Sequence, residues 1–105
     1  MNNFKVIYKI LKIIELSMDF EEFDEYSISP EVLGVSQERW KILINELVNE
    51  GYVTGITLIP VIGKLTREPR ITKPALTLKG MEYLEENSLM KKAANMAKGI
   101  IEIVK

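Results

Sequence analysis

Neither cysteine nor histidine occurs among the 105 residues. Their absence excludes a disulfide framework, the usual zinc ligand sets, thiolate nucleophiles and imidazole bases. The glycine-rich phosphate loops GxGxxG and GxxxxGK[ST] and the nucleophile elbow GxSxG are missing as well. No catalytic residue, cofactor or metal site is therefore expected, and the chain does not read as an enzyme. Four prolines and six glycines are too few for a disordered or linker-like chain. Long apolar runs are also lacking. Lys5, Lys9 and Lys12 interrupt the apolar N-terminal stretch before a secretory core or a membrane span could form. The expectation is a cytoplasmic protein with no membrane partner.

What is present is the composition of one ordinary globular domain over 1–105, 47% apolar and 28% charged. Its densest acidic run, Asp19, Glu21, Glu22, Asp24 and Glu25, lacks the glycine-centred loop of a calcium site and reads as a solvated connector. Ahead of it, residues 3–18 have a helical period. Phe4, Ile7, Ile10, Leu11, Ile14 and Met18 form one stripe, with the three lysines on the other side.

The most informative stretch is ISPEVLGVSQERWKILINELVNEGYV, residues 28–53. Ser29 is a natural N-cap, Pro30 is pre-set for a first helical position, and Gly34 ends a helix of little more than one turn. Ser36 opens a longer helix, about 37–50, in which Trp40, Leu43, Ile44, Leu47 and Val48 recur as a buried stripe. Gly51 ends it. Two helices joined by a tight glycine-containing turn, here about 29–50, are a helix-turn-helix. The residues opposite the stripe, Glu38, Ile42, Asn45 and Asn49, are expected to face outward, where substitution would leave stability within about 0.5 kcal/mol.

From Tyr52 to Ile62 the chain becomes β-branched and apolar. The polar GKLTREPRITKP then precedes a short returning strand at Ala75, Leu76 and Thr77. That predicts a hairpin wing over about 52–77 with a long irregular tip. Thr77 caps a helical segment, 78–104, whose Leu78, Met81 and Leu84 should turn to the core and which Asn87 and Ser88 could divide. Within 88–104, Leu89, Ala93, Met96, Ile100 and Ile103 form one apolar seam, and Met90, Ala94, Ala97, Ile101 and Val104 form a second. Two seams leave two uses open, a homodimer through 88–104 or packing along the first helix. The expected fold is α+β, a winged helix-turn-helix with a three-helix core, a β-hairpin wing and an extra C-terminal helix.

The segments MNNFKVIYKILK, ISPEVLGVSQERW, ELVNEGYVTGI and LTLKGMEYLEENSLMKKAANMAKGI together resemble the YjcQ family, small proteins of Gram-positive bacteria and their prophages. The resemblance implies a winged helix and a link to phage or mobile elements, and it carries no site residues. A winged helix most often binds DNA, although a fold does not fix a function.

Candidate contacts to double-stranded DNA are Gln37, Arg39, Lys41 and Asn45 on the third helix and Lys64, Arg67, Arg70 and Lys73 on the wing, with Lys79 beside them. Asn45 is the best candidate for a base contact, because its amide can pair with adenine in a bidentate fashion. The charge balance opposes this. Formal net charge is −1, and from Glu15 to Glu50 there are ten acidic residues against two basic ones, Arg39 and Lys41. Two functions are expected from these residues: a phage-type DNA-binding regulator, or a winged helix used as a protein-interaction module.

Overall fold

The capping residues set the element boundaries. The computed structural model describes residues 2–97, with side chains as far as 88. Helix α1, Asn3–Ser17, starts where the Asn2 side chain accepts hydrogen bonds from the amides of Phe4 (2.9 Å) and Lys5 (3.4 Å). A 3-10 turn, Glu25–Ile28, leads into α2, Pro30–Leu33, capped by Ser29 and ended by Gly34 in the left-handed conformation. Helix α3, Gln37–Asn49, is capped by Ser36, whose hydroxyl accepts from the Arg39 amide at 3.1 Å. The hairpin follows as β1, Val53–Ile59, and β2, Glu68–Leu76. Helix α4, Leu78–Ala97, starts on Thr77, whose hydroxyl accepts from the Gly80 amide at 3.1 Å.

Helix, short helix, helix, hairpin and helix in that order make an α+β winged helix with one wing. Among the described residues no helix is long and apolar enough to cross a membrane. The core joins Val6, Ile10, Leu11 and Ile14 of α1 to Leu43, Ile44 and Leu47 of α3 and to Val53, Ile56 and Leu76 of the hairpin. Ile28 and Leu33 fill the side of the turn, and Leu84 closes the α4 end. Phe4 and Met18, expected on the α1 stripe, are exposed; Val6 supplies the buried contact there.

The returning strand begins at Glu68, seven residues before the expected position. Backbone pairing to β1, with Ile59 opposite Glu68 and Thr57 opposite Arg70, outweighs the polar composition of that stretch. Pro69 and Pro74 are tolerated because a two-stranded sheet leaves β2 an unpaired edge. The register slips between Thr54 and Ile56, where residues 72–74 of β2 stand against Gly55. Gly55 has φ +80, and a Cβ there would collide with the Lys73 carbonyl, so only glycine fits the crossing.

Helix α4 also departs from expectation. It runs unbroken through Asn87 and Ser88, and the Asn87 side-chain amide donates to the Tyr83 carbonyl at 2.8 Å instead of ending the helix. Gly80 is the residue that meets the hairpin base, and Leu84 is buried in the core. A Cβ at Gly80 would strike the Tyr52 carbonyl, and this close approach rotates Leu78 (78% exposed) and Met81 out to solvent. Tyr52 and Tyr83 add an edge-to-face contact, with centroids 5.5 Å apart. The seams read over 88–104, and the homodimer they would serve, lie outside the residues whose side chains are described.

Trp40 is buried, and its indole N–H donates to the Ile28 carbonyl at 2.7 Å, anchoring α3 to the 3-10 turn ahead of α2. Trp40→Ala is expected to cost about 3–5 kcal/mol in urea denaturation through the cavity and the broken hydrogen bond. Trp40→Phe, which keeps most of the volume but leaves that carbonyl unpartnered, should cost about 1–3 kcal/mol. A native state with water-exposed tryptophan fluorescence would contradict this placement.

Candidate nucleic-acid interface

The eight candidate contact residues do not form one surface. On α3, a helical wheel puts Asn45 about 140° from Trp40, on the solvent side. The structure buries it instead, at 7% exposure. The loop that joins β1 to β2 crosses this part of the helix, and the Asn45 carboxamide is used up by backbone. Its Nδ2 donates to the carbonyls of Lys41 (2.7 Å) and Arg67 (3.0 Å), and its Oδ1 accepts from the Arg67 amide at 2.9 Å. Asn45 is thus a clamp that holds the wing, and the expectation that it faces outward as a base-reading residue is corrected. The cause is tertiary: the wheel describes the helix alone, whereas a loop 22 residues further along the chain supplies the cover.

Lys41 is drawn into the same junction. Its side chain is 17% exposed, and its Nζ lies 3.1 Å from an Oε1 of Glu68 at the start of β2. With Glu68 half exposed, this pair adds little stability. It does neutralise the only carboxylate between Tyr52 and Thr77. Arg39 is exposed and donates through Nη1 to the Asn3 side chain at 2.7 Å, linking the starts of α3 and α1. Gln37 is exposed at the rim of a cleft of about 600 Å³, with Trp40, Pro69 and Arg70 also lining it.

The basic residues of the wing divide into free and tethered. Lys64, Arg67 and Arg70 are exposed, and among the described residues none of their side chains makes a salt bridge or hydrogen bond. Arg67 is held only by its backbone, so the clamp fixes where its guanidinium starts without occupying it. Lys73, half-buried in the register slip, instead points its Nζ at the Ser17 carbonyl (3.4 Å), where a cation complements the end of α1. Lys79 donates to the Glu50 carbonyl at 2.9 Å and lies 5.1 Å from the Tyr52 ring centroid. Neither is at the tip, so the expected cluster of five cations reduces to three free ones.

Besides Gln37 and Arg39, the exposed residues of α3 are Glu38, Ile42, Glu46 and Asn49, an acidic and apolar stripe with one amide. Sequence reading also missed the apolar character of the wing tip. Ile62 is 102% exposed and Leu65 is 101%, with Lys64 between them. The signal was available: two large aliphatics flank Gly63 and Lys64, where no strand partner could bury them.

Helix-turn-helix, clamped hairpin and following helix define a winged-helix protein with a basic, apolar-tipped wing. The chain belongs to the YjcQ protein family, whose family model matches residues 8–103. It is 32% identical over 108 residues to the uncharacterized protein YjcQ of Bacillus subtilis (strain 168), with 100% of both chains covered. No solved structure matches the chain.

Asn45→Ala should destabilise the domain by about 1–3 kcal/mol, because both Arg67 backbone groups lose their partner. Hydrogen exchange at the Arg67 amide should accelerate with it. A change below about 0.5 kcal/mol, the size usual for a surface position, would contradict the clamp.

Proposed function

We propose that this chain is a DNA-binding winged helix, of the transcriptional-regulator kind, that grips the duplex with its wing and not with its third helix. It would act in the cytoplasm, without cofactor or catalysis. The observation that carries the reading is the charge left free on the wing. Lys64, Arg67 and Arg70 have no ion-pair partner among the described residues, and Lys41 takes up Glu68, the one carboxylate of the wing, while Glu25 and Glu31 line the same cleft as Arg70 without pairing with it. Guanidinium groups can fork onto phosphate oxygens or enter a narrow minor groove, and Lys64 adds a point charge beside them. Helix α3 is a poor reader by comparison. Asn45 and Lys41 are occupied, and Glu38 and Glu46 would repel phosphates. Such a protein binds weakly and with little sequence preference through these contacts alone. The prophage association of the family it resembles makes phage or mobile-element genes the natural target.

A second reading, a winged helix that binds a protein partner, is favoured by that same α3 stripe, in which Ile42 is half exposed between Glu38 and Glu46.

Fluorescence anisotropy on a random duplex across a salt series separates the two. Neutralising Lys64, Arg67 and Arg70 to Gln should flatten the slope of log affinity against log salt by about 0.9 for each phosphate no longer neutralised. The melting temperature should hold, because among the described residues none of these side chains makes a hydrogen bond or salt bridge. Ile42→Ala should leave DNA affinity unchanged. If the unmodified protein shows no salt-dependent association even at low ionic strength, the DNA reading fails and the protein-interaction reading stands.

A further inference from the structure

The loop between β1 and β2 ends in a tight turn closed by the Lys64 amide donating to the Val61 carbonyl at 3.1 Å, with Gly63 at φ +81. Ile62 occupies a corner of that turn and Leu65 follows it, both with their whole side chains in water. Neither packs on any part of the fold, so neither is there for the core. A fully exposed aliphatic forfeits the burial free energy that such a residue ordinarily supplies, and two together at a protruding tip call for something that covers them.

The surroundings of the tip limit what that can be. Lys64 lies between the two aliphatics, Arg67 is two residues beyond Leu65, and Arg70 follows on β2. The complementary surface is a small apolar slot rimmed by negative charge. The Asn45 clamp also holds the base of the loop at Arg67, so the tip is presented with less of the ordering cost that a loose loop would incur on insertion. Two surfaces have the right character: a base step in the minor groove of a duplex, and an anionic bilayer. The size of the apolar tip decides between them. Two aliphatic side chains are enough to wedge a base step, whereas lasting attachment to a bilayer needs far more buried apolar surface than Ile62 and Leu65 offer.

We propose that Ile62 and Leu65 form an apolar wedge that enters the minor groove and partly unstacks a base step, bending the duplex while Lys64, Arg67 and Arg70 hold the flanking phosphates. This rests on the wing-led reading of DNA binding given above. Apolar side chains inserted between base steps kink DNA in this way, and pyrimidine–purine steps yield most readily. The wedge therefore supplies what the phosphate contacts lack, a preference for deformable or already kinked sites.

The test uses the full chain and short duplexes labelled with a donor and an acceptor at opposite ends. One duplex is straight and contains a central TA step, and another carries a central two-base bulge. Binding by the unmodified protein should raise energy transfer on the TA duplex, and the bulged duplex should be preferred by about tenfold or more, since it is already bent. The I62S/L65S double variant should keep its melting temperature and its salt slope but lose both the transfer change and the preference. Binding with no change in transfer and equal affinity for the two duplexes overturns the wedge and leaves the wing-led reading intact. Absence of binding to either duplex overturns both. Tip-dependent binding to anionic phosphatidylserine vesicles without duplex bending also overturns the wedge, in favour of a membrane contact.

Discussion

The placement of the wing against the helices depends on one side chain. The Asn45 carboxamide commits both donors and its acceptor to backbone, joining the middle of α3 to Arg67 at the base of the wing loop. A carboxamide suits this task because it offers donors and an acceptor in one plane, matching a backbone N–H and C=O from a single residue. No apolar residue could satisfy those groups, and a charged one would leave charge at a nearly buried site. With the clamp made, the hairpin has a fixed angle to the helix bundle. The Lys41–Glu68 pair forms beside it, and the loop beyond Arg67 projects as a defined tip.

That single constraint also sorts the charges. It turns two of the four polar residues proposed for α3 into parts of the scaffold, leaving Gln37 and Arg39 exposed at the helix start and, beyond them, a stripe of Glu38, Ile42, Glu46 and Asn49 that suits a protein surface better than a phosphate backbone. On the wing it has the opposite effect, because the pairing of Glu68 with Lys41 leaves Lys64, Arg67 and Arg70 with no free carboxylate of the wing's own against them. A chain whose formal net charge is only −1 thereby carries a locally cationic element, and local field matters more than the total for steering a polyanion. Lys73 and Lys79 lie within the same run of sequence but serve the fold, one at the end of α1 and the other at the end of α3.

The framework was legible because local chemistry and tertiary structure agree there. Ser29, Pro30, Gly34 and Ser36 mark the helix-turn-helix by capping alone, the Trp40 stripe is buried as its period requires, and Thr77 caps α4. Errors arose wherever a remote segment decided the outcome. Asn45 looked outward because a helical wheel cannot register a loop that crosses it. The polar start of β2 looked like loop because its pairing partner, β1, lies across the hairpin. Leu78 and Met81 looked inward because the close approach at Gly80, which sets the rotation of α4, involves the Tyr52 carbonyl and leaves no mark in the periodicity. Asn87 is the local exception: a residue type common at helix ends, it instead bonds back within the same helix. Family membership assigns none of these roles.

If the clamped wing, and not α3, meets the partner, the amides of the wing must respond first when DNA is added. Mapping chemical-shift changes while a short random duplex is titrated into the isotope-labelled protein at low salt tests this most directly. The largest changes should cluster in the loop and the start of β2, at residues 61–70, while the amides of Ile42, Glu46 and Asn49 stay still. Changes centred on Glu38, Ile42, Glu46 and Asn49, with the wing unmoved, would contradict it.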